Sequence, residues 1–365
     1  MKIIQIDAYQ VTCKISEIYR ISRGRSISSL TSTIVKISTD EGFKGFGEVC
    51  PFGSAYMDAY ARGVISGIEE LGPALLGQDP CQIKVINSLM DRTMYGHSFV
   101  KSPLDVACWD ILGQASNLSL CTLLGGRQVE SYPVYWSIST DTPQKLADEV
   151  SHYRSLGYSR FQLKLGSDPG EDIMRTKAVL NDLQSRDILV IDGNAGWLTH
   201  EAIRVVNALA GEPIYVEQPC SSLEECLVVR QHTQLPMFLC ETITGVEPLL
   251  RAYEKRTMDG INIKLSRVGG LTKAKQIRDL CETLGLVMTI EDSAGSDITR
   301  ATVAHLVGST QPQYFFNSPD FSRFDITVAE DAPKNKKGRL SVPLGPGLGI
   351  HIKEAMLGRS ALTIK

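Results

Sequence analysis

The sequence predicts an α/β protein, a modified (β/α)8 barrel behind an α+β N-terminal unit. Three observations predict it. From about Val134 short β-rich runs alternate with amphipathic helical stretches, the signature of parallel strands joined by right-handed crossovers. There are eight such runs, which favours closure over an open sheet. No Gly-x-Gly-x-x-Gly follows the first run, as a dinucleotide-binding doubly wound sheet requires.

In chain order, residues 1–7 alternate like a strand. Residues 32–37 alternate as well, Asp40-Glu41-Gly42 reads as a turn, and residues 43–49 run back as a second strand. Apolar residues at 64, 65, 68, 71, 75 and 76 mark a helix over 59–76. A further helix is expected over 103–114, with Pro103 in its first turn, where a missing N–H costs little. The barrel strands are expected at 134–137, 161–165, 188–191, 214–216, 237–239, 260–263, 287–290 and 314–316, with helices at 143–156, 171–183 and 200–210 among the connections. The expected organisation is an α+β unit over 1–126, the barrel over 127–330 and a C-terminal segment over 331–365.

A formal net charge of -3 argues against a nucleic-acid binder, and no apolar run reaches the roughly 20 residues of a membrane span. The N-terminus lacks the apolar core of a signal peptide. Nine cysteines without Cys-x-x-Cys spacing read as buried thiols in a reducing cytoplasm.

Polar residues just past the C-terminal ends of barrel strands point into the active-site mouth. That position gives Lys164 on the second strand, Asp192 (with Asn194) on the third, Glu217 on the fourth and Glu241 on the fifth. Lys264 follows on the sixth, Asp292 on the seventh and Asp320 on the eighth. Any one strand-end carboxylate often only caps the next helix. Five consecutive strands giving Lys, Asp, Glu, Glu, Lys suit proton abstraction beside a carboxylate. Three carboxylates fit a hard, oxygen-seeking ion such as Mg2+, whose charge stabilises an enediolate. Nearby cations and partial burial are expected to lower a lysine's pKa until one amine serves as base, with the second on the opposite face.

Phe161-Gln162-Leu163-Lys164, Asp192-Gly193-Asn194-Ala195-Gly196-Trp197, Val216-Glu217-Gln218-Pro219 and Lys264-Leu265-Ser266-Arg267-Val268-Gly269-Gly270 resemble the signatures of the mandelate racemase and muconate-lactonizing branch of the enolase superfamily. So does Ser102-Pro103-Leu104-Asp105 through Leu123-Leu124-Gly125-Gly126. The resemblance implies a capping domain completed by the C-terminal tail, one Mg2+ on Asp192, Glu217 and Glu241, and Lys164 and Lys264 as the acid/base pair. It also implies a small carboxylate substrate and a homo-oligomer. Two departures stand out: Gln162 replaces the first lysine of Lys-x-Lys, and Cys240 precedes Glu241 where many relatives have aspartate.

The histidines at 97, 152, 200, 232, 305 and 351 fall on expected helices or loops, which disfavours the sugar-acid dehydratases that use a His–Asp pair. Expected specificity loops are 18–29 and 51–56. The latter, with Glu48-Val49-Cys50, Ile290-Glu291-Asp292 and Asp320-Phe321, resembles a subgroup acting on proline derivatives, cis-3-hydroxy-L-proline dehydratases and hydroxyproline-betaine epimerases. The segments 271–275 and 328–334 resemble the dehydratases. Ala294 stands where betaine-binding relatives place a tryptophan. Tyr56 with Asp292 or Asp320 is expected to read the amino group and ring hydroxyl, or Asp320 to cap a helix. The rival class is a noncatalytic enolase-like binding protein, which predicts gaps in the ligand or base set; none is visible.

Overall fold

The structure, a computed structural model, describes every residue except 325 and the side chains at 13, 14, 16 and 17. The N-terminal hairpin joins β1 (Ile3–Arg20) to β2 (Ser26–Thr39), and β3 (Lys44–Val49) returns along β2. The expected loop over 18–29 is therefore mostly strand, and only residues 21–25 form the hairpin tip. Helix α1 (Ala61–Leu71) gives way to a 3-10 turn (Gly72–Leu75) at Gly72-Pro73, which divides the helix expected over 59–76. Helix α2 (Ile83–Thr93) was not expected. Helix α3 (Ser98–Ser116) begins five residues earlier than expected, so Pro103 lies inside it rather than in its first turn.

The β3 sequence Lys44-Gly45-Phe46-Gly47 is explained by α3. A Cβ at Gly45 or Gly47 would collide with the Ala107 or Pro103 carbonyl, so only glycine lets the strand lie on the helix backbone.

After α4 (Leu120–Leu123) and β4 (Ser131–Pro133), the barrel strands run β5 (Trp136–Ile138), β6 (Arg160–Lys164), β7 (Ile188–Asp192) and β8 (Ile214–Glu217). They continue through β9 (Met237–Leu239), β10 (Gly260–Lys264), β11 (Val287–Glu291) and β12 (Phe315–Asn317). They form one parallel sheet in sequential order. It closes where Tyr135 donates its N–H to Ser318 O (2.8 Å) and accepts from Asp320 N–H (3.0 Å). Both faces of these strands are covered, which is why they read as near-continuous apolar runs. Helices α5 (Pro143–Ser155), α6 (Pro169–Asp182), α7 (Thr199–Ala208), α8 (Leu223–Arg230), α9 (Val246–Glu254), α10 (Leu265–Val268), α11 (Leu271–Leu284) and α12 (Asp297–Gly308) fill the connections. β13 (Arg339–Ser341) pairs with β4, and β14 (Leu362–Ile364) adds to the edge of β1, returning the C-terminus to the N-terminal sheet.

Two buried carboxylates from the N-terminal unit sit on starts of barrel helices, where free N–H groups favour a negative charge. Asp105 accepts Thr272 N–H (2.9 Å) at α11. Gly270 leaves room for it, since a Cβ there would lie 2.6 Å from Asp105 Oδ2. Glu48 accepts Ser296 N–H (2.8 Å) and Thr299 N–H (3.0 Å) at α12. No disulfide occurs among the described cysteines, and seven of the eight are buried. The side chain of Cys13 lies outside the described residues. No helix among the described residues is long and apolar enough to cross a membrane.

Candidate active site

Register assembles the site. Lys164, Asp192 and Glu217 are aligned partners at the ends of β6, β7 and β8, and Lys264 is aligned with Glu291 at the ends of β10 and β11. Glu241 lies two residues beyond β9.

Lys164 Nζ donates to Asp192 Oδ2 at 2.6 Å, and both residues are buried. Asp192 also accepts the Asn194 N–H on Oδ1 and the Asn194 amide on Oδ2, each at 2.8 Å. This tight turn holds Asn194 (φ 41°) and Ala195 (φ 57°) in the left-handed region, a conformation that costs energy in an alanine. Glu217 is gripped from both sides, by Gln162 Nε2 on Oε2 (2.8 Å) and Asn262 Nδ2 on Oε1 (2.8 Å). Gln162 and Asn262 lie two residues before Lys164 and Lys264, on the same strand face. The glutamine that departs from Lys-x-Lys thus has a positive task here: its amide donates to a candidate ligand.

Glu241 Oε1 accepts from the Tyr56 hydroxyl (2.6 Å) and the Asn194 amide (3.2 Å). Its Oε2 and Asn194 Oδ1 are buried without any hydrogen bond. Lys264 Nζ lies 3.5 Å from the Tyr56 hydroxyl and 3.7 Å from Glu291 Oε1. Glu291 also accepts from Tyr135 OH (2.7 Å) and Asn262 Nδ2 (3.2 Å).

Burial pushes the Asp192 and Glu217 carboxyls up, and the neighbouring carboxylates add to it. Burial works against the charge of Glu241 too, but Arg267 and Lys264 hold it below the ordinary range. The lysines correct the sequence expectation. Burial does disfavour their charge, yet Asp192 beside Lys164, and Cys240, Tyr56 and Glu291 around Lys264, outweigh it and hold both amines above the ordinary range.

Lys164, Lys264, Tyr56, Asn194, Asp292 and Asp320 all line one narrow cavity of about 50 Å3. Its other walls are largely aromatic. Phe52 meets Tyr19 and Phe324 edge-on, at ring separations of 6.0 and 5.7 Å. Arg323 stacks over Trp136 at 4.6 Å.

Asp292 and Asp320 reach this cavity with donors already on them. Asp292 accepts from Ser266 N–H (3.0 Å), the Ser266 hydroxyl and Ser293 N–H (2.7 Å), and burial pushes it up to about 6. Asp320 accepts from Tyr158, Asn335 Nδ2 (2.7 Å) and Ser322 N–H (2.8 Å), so it does cap the short 3-10 turn Phe321–Arg323.

Sequence reasoning missed Glu291, Asn262 and Arg267. Arg267 Nη1 donates to Cys240 O (3.0 Å) and Sγ (3.1 Å). Strand alternation could have found one of them, since counting back by two from Lys264 gives Asn262; Glu291 emerges only from the β10–β11 register.

Among the described residues, the ligand atoms that gather within 4.8 Å are those of Glu217, Cys240 and Glu291 rather than the expected trio. The Cys240 thiol is pushed well up by burial and already contacts Arg267, which makes it a poor donor for a hard ion. Asp192, Glu217 and Glu241 offer oxygen alone, crowd one another's charge and include an orphaned buried oxygen, so they fit a hard dication.

The chain matches two family models, the mandelate racemase/muconate lactonizing enzyme N-terminal domain over residues 7–125 and the enolase C-terminal domain-like family over 145–356. It is 46% identical over 352 residues to a cis-3-hydroxy-L-proline dehydratase of Roseibium aggregatum, covering 96% of each chain. It is 29% identical over 372 residues to an N-succinyl-L-Arg/Lys racemase of Bacillus cereus, covering 98% of this chain and 97% of the other. A mandelate racemase/muconate lactonizing enzyme structure from Roseovarius nubinhibens ISM, complexed with magnesium, superposes with a TM-score of 0.96 at 36% identity over 100% of both chains.

Proposed function

This chain belongs to the mandelate racemase/muconate lactonizing enzyme family of the enolase superfamily, and on that premise we propose that it dehydrates cis-3-hydroxy-L-proline with Mg2+ as cofactor. Its relatives are lyases, racemases, epimerases and cycloisomerases, and it is an enzyme of the lyase or racemase/epimerase type. The observation that carries the reading is the pair of buried amines, Lys164 and Lys264, both lining the small cavity beside the strand-end carboxylates.

The stereochemistry of the substrate suits such a pair. In cis-3-hydroxy-L-proline the carboxylate and hydroxyl share one ring face, so the α-hydrogen lies on the face opposite the hydroxyl. Loss of water is therefore an anti elimination. One amine, unprotonated, takes the α-proton from one face. The C3–O bond breaks, and the other amine, as ammonium, gives its proton to the departing hydroxyl, which leaves as water. The enamine left behind tautomerises to Δ1-pyrroline-2-carboxylate, and exchange with solvent restores both lysines.

Asp192, Glu217 and Glu241 would hold the cation. When bound, Mg2+ supplies positive charge opposite the developing dianion and offsets the carboxylates that otherwise keep the amines protonated. Asn194 keeps Asp192 and Glu241 oriented. Asp292, at the cavity wall, is the acceptor for the ring ammonium, while Asp320 is engaged as a cap. The aromatic walls exclude water from the reacting face.

A second reading is epimerisation of a proline derivative. The same two amines favour it, because removal on one face and return on the other inverts the carbon. Incubation of the purified enzyme with Mg2+ and cis-3-hydroxy-L-proline in D2O, followed by NMR, separates the two. Formation of Δ1-pyrroline-2-carboxylate is expected. Deuterium at the α-carbon without water loss supports the epimerase, and no change in the substrate sinks the assignment of substrate.

A further inference from the structure

Tyr56 belongs to the N-terminal unit, yet its hydroxyl reaches across to the barrel. It donates to Glu241 Oε1 at 2.6 Å and receives the Asn194 amide at 3.3 Å. The other oxygen of that carboxylate, Oε2, is buried and has no partner. Glu241 stands beyond the end of β9 rather than inside a strand, so the ladder does not fix it as it fixes Asp192 and Glu217. Two donors on a single oxygen remove that freedom. They turn the carboxylate so that one oxygen is spent on protein and the other is left for something else.

We infer that Tyr56 is a positioning residue for the third cation ligand, setting Glu241 to offer Oε2 alone, so that seating of the N-terminal unit on the barrel governs cation affinity. This rests on the reading of Glu241 as a ligand. It departs from the expectation that Tyr56 reads the substrate. The ring itself is packed independently of the hydroxyl, edge-on to Phe52 at 6.3 Å and under the Arg25 guanidinium at 5.2 Å. Tyr56→Phe therefore removes the hydroxyl and leaves the packing. Outer partners that orient a metal ligand commonly matter 10–100-fold for metal affinity.

The test titrates Mg2+ alone into the metal-free protein, reading the thermal midpoint, for wild type, Y56F, E241Q and the double variant. The expectation is an unchanged metal-free midpoint for Y56F, Mg2+ binding weakened roughly 10–100-fold, and a double variant no weaker than E241Q. A purely structural role for the hydroxyl would lower the metal-free midpoint and leave Mg2+ affinity alone. Should Y56F lower the midpoint, the double variant decides: equal loss of affinity in both backgrounds overturns the inference. Wild-type affinity in Y56F beside weakened affinity in E241Q overturns the inference and leaves the ligand reading standing. Wild-type affinity in E241Q overturns both.

Discussion

The two lysines of the barrel mouth are equally buried, 8% and 7% exposed, but they are held in different ways. Lys164 has one close partner, Asp192 at 2.6 Å, which its own strand register places beside it. Lys264 hangs between Glu291 at 3.7 Å, the Tyr56 hydroxyl at 3.5 Å and the Tyr56 ring at 5.5 Å. The Lys164–Asp192 contact is made within the barrel, with Ser22 and Arg25 of the N-terminal unit bracing only the backbone of Asn194 behind it, whereas Lys264 meets the N-terminal unit directly through Tyr56. A change at Tyr56 therefore reaches Lys264 and Glu241 directly, and Lys164 only by way of Asn194.

The strongest way to break this contrast is to remove each amine in turn. Lys164→Ala and Lys264→Ala should each lower dehydration about a thousandfold or more, read as pyrroline formation. NMR in D2O should then part them, since only the variant that keeps the base continues to exchange the α-proton. If either retains a tenth of wild-type turnover, the paired-amine mechanism fails.

A smaller effect concerns Asp292, behind Lys264. Its folded pKa of about 6 exceeds the unfolded 3.8, so the folded state binds the extra proton between these values. Stability from this group is full below pH 3.8 and is lost as pH rises through 6, by about 3 kcal/mol in all. Asp292→Asn should remove that slope, measured as urea midpoints from pH 4 to 7. The same slope in the variant would assign it elsewhere.

The smallest effect sharpens the Lys164 side. Gln162→Leu strands Glu217 Oε2 and should cost about 2 kcal/mol in metal-free urea unfolding. No loss of stability would show that Glu217 does not depend on that amide.

The barrel was legible because parallel strands covered on both faces need long apolar runs, and helices between them a different period. Lys164, Asp192, Glu217 and Lys264 were legible because each ends its strand. Glu291 was not. Glu291 and Asp292 are adjacent and equally acidic, and which one faces Lys264 turns on a register of one residue, invisible in Val287-Met288-Thr289-Ile290. The first strand sits later than the 134–137 expected, at Trp136–Ile138, because Tyr135 closes the barrel by a single bridge rather than a ladder. The lysine pKa expectation weighed burial and cations but not partners such as Asp192, whose closeness only pairing reveals.

The anchoring of Glu48 and Asp105 on barrel helix starts has a consequence for traffic through the molecule. Swinging the N-terminal unit away like a door would break the hydrogen bonds of both carboxylates to the helix starts at once and trade them for water. Entry and exit are therefore expected at the short rim segments around 21–25 and 51–60, which lie between the strands and helices and carry neither anchor.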